Sequence, residues 1–312
     1  MASSLDRRNF LETAALGGIA TAASAARREH DSETLVAELY RALSDEQKQG
    51  VVFDFDDPLR LKVEANWHIT PHRIGSFFDA EQQAMIREIF RKLHNPDFVD
   101  RVFRHLEDDG RGIGNYSLAL FGKPGSGKFE LVFAGRHCTA RCDGDSVEGV
   151  AFGGPIFYGH AAAGFNEAPG HPGNVYWFQA KSANRVYEAL DGKQREAALL
   201  NRGRSERGTA TVELKTPEHV RGLPVSDMSP DQRELVEQTL DDLLLPFRER
   251  DRQESKRLIR AHGGVETLSM SFYKRGDMGS DGVWDVWQLE SPRMVWYFRG
   301  SPHVHVWANL RA

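Results

Sequence analysis

The chain has 312 residues, 40% of them hydrophobic and 27% charged, and a formal net charge of −5 from 45 acidic and 40 basic side chains. That length and apolar content can build one large domain or two small ones. The acidic balance argues against a nucleic-acid partner, whose phosphates require a concentrated basic face.

At the N-terminus, Asp6-Arg7-Arg8-Asn9-Phe10-Leu11 precedes a mildly apolar run from Thr13 to Ala22 and then Ala23-Ser24-Ala25. A charged segment, a short apolar segment and a small-residue cleavage site are the three parts of an export signal. Adjacent arginines followed by Phe-Leu resemble its twin-arginine (Tat) form. Residues 1–25 are therefore expected to be a signal peptide that engages the Tat translocase. Residues 26–312 are expected to form one domain in the periplasm or outside the cell. Removing residues 1–25 deletes Asp6 and Glu12 together with Arg7 and Arg8, so the net charge does not change. The apolar run is shorter than the roughly 20 residues that span a bilayer, and no later run escapes charge for even about 18, so no transmembrane anchor is expected.

Helix starts come next. Ser44-Asp45-Glu46-Gln47, Asp79-Ala80-Glu81-Gln82, Asp191-Gly192-Lys193-Gln194 and Ser229-Pro230-Asp231-Gln232 each set a capping side chain three residues before a Gln. That spacing satisfies helix-start donors reciprocally. After the last of them, Leu235, Val236, Leu240, Leu243, Leu244 and Phe247 form an apolar stripe that Pro246 should kink or end.

Strand-like text fills Asn115 to Cys142 and Leu268 to Leu310, and each stretch reads as an antiparallel meander. In both, an aromatic strand ends in Gly (Gly135, Gly300) and the next strand opens with histidine (His137, His303). This predicts an α+β fold of helices plus two antiparallel β-meanders, with an internal pseudo-duplication whose copies pack face to face. Gly122-Lys123-Pro124-Gly125-Ser126-Gly127-Lys128 has the spacing of a phosphate-binding loop, but Phe129 replaces the required Ser or Thr and strand text follows. A hairpin turn explains the segment, and no ATP binding is expected. Cys138 and Cys142 would need a bend to form a disulfide, because four residues of straight strand cover about 13 Å.

Two loops stand out. Gly149 to Asn174 contains seven glycines with His160, Asn166, Glu167 and His171, whereas Asn201 to Gly208 reads as an exposed loop. Trp284, Trp287, Trp296 and Trp307 crowd the C-terminal strands. They read as core, with stacking on sugar rings as the alternative.

Arg136-His137-Cys138-Thr139, Asp143-Gly144-Asp145-Ser146-Val147-Glu148-Gly149, Phe152-Gly153-Gly154-Pro155, Tyr158-Gly159-His160, His171-Pro172-Gly173-Asn174 and Pro302-His303-Val304-His305, in that order, resemble the DUF3500 family of bacterial and fungal proteins. The resemblance runs from about residue 35 to the C-terminus. It implies no particular reaction or catalytic residue, so function is read from the side chains.

In a strand, residues two apart face the same side, so His303 and His305 can reach one metal ion. The plainer reading makes them polar residues on a solvated face. His137 is the natural third ligand if the duplication is real, and His160 a fourth. Glu148 is the first candidate general base, with Glu167 behind it, because chemistry on metal-bound water uses a nearby carboxylate. The alternative for the acidic stretch from Asp143 to Glu148 is a simple turn. Arg136 and Arg141 are expected to pair with those acids, or to hold an anionic substrate. The reading that results is a histidine-rich pocket lidded by the glycine loop. It would hold a transition metal (copper, zinc or iron) in a hydrolase or oxidoreductase acting on a small molecule. The alternative is a periplasmic metal carrier, or a small-molecule or sugar-binding protein without catalysis.

Overall fold

The computed structural model describes residues 31–144, 146–161, 175–277 and 282–312. Residues 1–25, expected to be an export signal, and Asp145, Asn166, Glu167 and His171 lie outside the described residues.

The first helices are α1 (Ser32–Ala42) and α2 (Asp45–Val51), followed by the short strand β1 (Val52–Phe53) and a long irregular segment. Helices α3 (Ile74–Phe77), α4 (Ala80–Lys92) and α5 (Pro96–Gly110) then lead into β2 (Ser117–Gly122), β3 (Phe129–Gly135), β4 (Cys138–Cys142) and β5 (Ile156–His160). The order then repeats. Helices α6 (Trp177–Ala189) and α7 (Gly192–Ala198), strand β6 (Leu199–Arg202), an irregular segment with β7 (Leu223–Pro224), and helices α8 (Pro230–Leu244) and α9 (Glu249–Ala261) lead into β8 (Ser269–Arg275), β9 (Val286–Ser291), β10 (Met294–Arg299) and β11 (Val304–Leu310).

The local code places these elements as expected. Ser44, Asp79, Asp191 and Ser229 each complete a reciprocal cap with the Gln three residues on, at the starts of α2, α4, α7 and α8. The caps also interlock in pairs: Gln47 donates to Gln82 at 2.8 Å and Gln194 to Gln232 at 2.9 Å. Helix α8 ends before Pro246. The phosphate-loop lookalike is the β2–β3 hairpin turn, where Lys123 N donates to the Lys128 carbonyl at 3.1 Å.

Among the described residues all the strands join one sheet, in the order β1-β2-β3-β4-β5-β11-β10-β9-β8-β6, with β7 paired to β8. The parallel β1–β2 pair at one end matches the parallel β6–β8 pair at the other. Between them the ladders are antiparallel, and the two halves meet at β5–β11. The duplication therefore exists as topology, but the copies join edge to edge rather than face to face. Sheet order also matches β4 with β10 and β5 with β11, so the equivalence of the His137 and His303 strands expected from the sequence is off by one strand. The cause is β5, a central strand hidden inside the glycine-rich loop. Gly159 lets it pair closely, since a Cβ there would sit 2.2 Å from the Val304 carbonyl oxygen.

Alternation divides the sheet into two faces. Leu118, Leu120, Leu131, Phe133, Tyr158, Val304, Val306, Trp296 and Phe298 share the main core with helical residues such as Val36, Ile86, Phe90 and Val186. Irregular segments cover the opposite face: Val63 and Val212 pack with Phe157, Tyr297 and Trp307, and Trp67 and Ile69 with Phe121 and Val132. Matching ion pairs pin these segments. Arg60 reaches Glu130 on β3 at 2.7 Å, and Arg204 reaches Glu290 on β9 at 2.6 Å.

Trp287, Trp296 and Trp307 are fully buried, which excludes sugar stacking for those three. Cys138 and Cys142 are buried, free thiols on the helix-side face of straight strand β4. Burial pushes the Cys138 thiol up to about 12.

Candidate metal centre

At the end of the sheet where β11 begins, three imidazoles converge. His137, His303 and His305 each offer a ring nitrogen, and these atoms lie within 4.8 Å of one another. The ring centroids are 4.8 Å apart for His137–His303, 4.9 Å for His137–His305 and 4.7 Å for His303–His305. His303 Nε2 and His305 Nε2 are separated by 3.0 Å. The side chains two apart do point together, while Val304 and Val306 turn into the helix-side core.

His137 arrives by another route. It sits between β3 and β4 with a left-handed φ of 52°, a conformation that costs an L-residue roughly 1–2 kcal/mol. The neighbouring segment holds it there, because His137 N donates to the Ala65 carbonyl at 2.8 Å and Asn66 bridges Arg136. Strand β5 separates β4 from β11, and Gly159 stands opposite His305 on that strand. With no side chain at Gly159, the space opposite His305 stays open, and Phe157 on the same face of β5 packs beside it, 5.1 Å from the His305 ring and 6.3 Å from the His137 ring.

Two carboxylates orient the rings from behind. Asp109, near the C-terminal end of α5, holds His137 Nδ1 with one oxygen and accepts from Arg136 Nε at 2.5 Å with the other. Glu206 accepts from His305 Nδ1 at 2.8 Å and from Arg299 Nε at 2.6 Å. Arg299 also donates to the Ser301 and His303 carbonyls, both at 3.0 Å, which fixes the turn before β11. With Nδ1 engaged in this way, a neutral His137 or His305 presents its Nε2 lone pair to the cluster.

The electrostatics favour neutral His303 and His305 rings beside ionised carboxylates. Burial, with His305, His137 and Arg299 close by, pulls His303 down to about 3. Burial pulls His305 to about 4, and the Glu206 hydrogen bond only partly offsets it. Burial would raise Asp109, but the bonds from His137 and Arg136 outweigh it and leave the carboxyl at about 2. Glu206 is lowered in the same way, its burial outweighed by His305 and Arg299.

Not every residue singled out in the sequence reaches the cluster. His160 pairs across the ladder with Val304 and so lies on the opposite face from His305. Its ring packs on His105 at 5.5 Å, so it is not a fourth member of the trio. Glu148 is exposed at the far end of the sheet. Val150, two residues on, bridges Arg311, and the six residues from Arg311 back to His305 cover about 20 Å of strand. That distance removes Glu148 as a general base for this cluster. Among the described residues, Arg141 pairs with Glu130 at 2.6 Å and Arg136 with Asp109.

Asp109, Glu206 and His105 escaped the sequence reading. The 201–208 segment, read as an exposed loop, supplies Glu206. It also borders a groove of about 880 Å³ lined by Asp57, Lys62, Glu64, Glu206, Arg207 and Thr209, among others. The groove lies between the two irregular segments that occupy equivalent places in the two halves. Among the described residues, no helix is long and apolar enough to cross a membrane.

A family model described as "Protein of unknown function (DUF3500)" matches residues 27–309. The chain belongs to the DUF3500 family. No curated protein and no solved structure matches it. As a member of this family it carries the His137-Cys138 and Pro302-His303-Val304-His305 segments into one place, and the chemistry of that place has to be argued from its geometry.

Proposed function

We propose that this DUF3500 protein is an exported metalloprotein in which His137, His303 and His305 hold one transition-metal ion, copper, zinc or iron. One observation carries the reading: three imidazole nitrogens converge, and two of the rings are oriented from behind by Asp109 and Glu206. Histidine ligands characteristically donate their other N–H to a carboxylate, which fixes the tautomer and raises the basicity of the ligating nitrogen. The lowered His303 and His305 suit the role, because the ligating form of histidine is the unprotonated one.

Three protein ligands leave a coordination position open, as catalysis requires and closed structural sites do not. The groove bordered by Glu206 supports access for a small-molecule substrate. A metal-dependent enzyme, hydrolase or oxidoreductase, is therefore favoured over a carrier. When bound, the metal supplies Lewis acidity or redox chemistry. The chain's own groups orient the ligands, through Asp109 and Glu206, and set the charge around them, through Arg136 and Arg299. The twin-arginine segment supports export in the folded state, with the metal acquired before translocation.

Elemental analysis of the full chain purified from an exporting host tests this. One ion per chain is expected, lost in His137→Ala, His303→Ala and His305→Ala while the far-ultraviolet circular dichroism stays unchanged. Val304→Asp should instead lose metal and fold together, because it buries a charge in the core. Metal retained in the triple histidine variant, or no uptake of copper, zinc or iron by the wild type, would refute the reading. Stoichiometric metal with no turnover of any substrate class would favour the carrier.

A further inference from the structure

Behind His137, among helices α4 and α5 and the helix-side face of β4 and β5, lies a cavity of about 40 Å³. That is larger than the roughly 10–15 Å³ one water molecule needs. Its wall is mostly apolar, including Phe90, Val102, Leu106, Ile156 and Phe247, and it carries three imidazoles, His94, His105 and His137. His105 is 7% exposed, and its Nε2 has no hydrogen-bond partner among the described residues. The His105 and His137 rings lie 6.5 Å apart, so the cavity reaches the metal centre from the inside.

The chemistry of the wall limits what can occupy it. Buried water is held by two to four polar partners. Here Thr139 is spent on Trp67, Tyr158 on Gln179, Arg141 on Glu130 and Asp251 on Arg248. His94 is held through Nδ1 on the Phe90 carbonyl at 2.9 Å, so among the described residues a water molecule would have His105, the Tyr176 hydroxyl and the far side of His94 as its polar contacts. An apolar guest loses nothing in such surroundings, and a weak acceptor gains from a single imidazole donor.

We propose that this cavity binds a small, weakly polar molecule of the dioxygen class, enclosed by the apolar wall with His105 Nε2 as its polar contact, beside the three-histidine cluster. Binding itself does not depend on a metal. Its meaning as a store of substrate for that cluster does rest on the metal reading above.

The test uses the metal-free full chain with labelled methyl groups, in solution under dissolved dioxygen, whose paramagnetism speeds relaxation of nearby nuclei. The Val102, Leu106 and Ile156 methyls should relax severalfold faster than equally buried methyls elsewhere, such as Val186 and Leu289. Xenon, a diamagnetic apolar probe, should shift the same signals. Leu106→Phe, which fills the space, should abolish both effects, and Val102→Ile serves as the milder filling if that variant fails to fold. Uniform relaxation across buried methyls, effects that persist in the filled variants, or a long-lived water contacting His105 in place of xenon would each overturn the proposal. Because no metal is present, gas binding can fail while the metal site stands, and the metal site can fail while gas binding stands.

Discussion

Asp143, just beyond β4, gives a quantitative test of how charge is buried in this sheet. Its side chain is largely buried, and Glu130, Asp251 and Glu254 surround it. Burial first, and then those negative neighbours, push its carboxyl from 3.8 to about 7, with Arg248 only partly compensating. The folded protein therefore keeps a proton that the unfolded chain releases near pH 4. Between those values the native state binds more protons, so stability falls as pH rises. The contribution is fully present below about pH 4 and disappears as pH passes through about 7. A displacement of about 3 pH units at 1.36 kcal/mol each gives about 4 kcal/mol. Asp143→Asn keeps the shape and cannot ionise. Measured by urea unfolding, its stability relative to wild type should improve by about 4 kcal/mol between pH 4 and pH 8. The buried histidines His94, His105 and His303, which run in the opposite sense because they are held neutral, titrate in both proteins and cancel in the difference. A difference that stays constant within about 1 kcal/mol across that range would show that Asp143 is ionised in the fold, and the packing argument would be wrong.

Other tests address the site and its frame. Asp109→Asn and Glu206→Gln should each weaken metal binding by about 10–100-fold, measured by competition with a chelator, while the fold is retained; unchanged affinity would show that the carboxylates do not orient ligands. Gly159→Ala drives a methyl group to 2.2 Å from the Val304 carbonyl and must part β5 from β11. It should cost roughly 1–3 kcal/mol or more in thermal unfolding, and an unchanged melting temperature would contradict the close approach. Replacing Arg7 and Arg8 with Lys should abolish export, and the wild-type mature protein should begin near Ala26; fractionation and mass spectrometry read both, and an unprocessed chain in an unchanged location would count against the signal.

Local code was legible because its physics is local. A capping box needs only a side chain and a Gln three residues apart, and all four predicted from sequence formed. The convergence of His303 and His305 was legible from strand alternation, although β11 begins at Val304 and His303 is set by the turn that Arg299 holds. The β2–β3 turn was distinguishable from a phosphate loop because Phe129 opens a strand. The burial of Trp287, Trp296 and Trp307 followed from their size. The family, too, was readable from the ordered motifs.

The rest depended on contacts between residues far apart in the chain. Five residues, Ile156 to His160, flanked by glycines, look like loop until β4 and β11 pair on either side of them, and that pairing is what joins the halves edge to edge. Faces are assigned by pairing as well, which put His160 opposite Val304 and away from the cluster, and left Glu148 about 20 Å distant. Asp109 and Glu206 are two carboxylates among 45 acidic residues, and nothing local distinguishes them. Their roles come from the α5 terminus and the 201–208 segment meeting rings that lie 28 and 99 residues away in sequence. Alternation along a strand is set by backbone geometry and travels with the sequence, whereas the partner of a buried imidazole is set by which elements the core brings together.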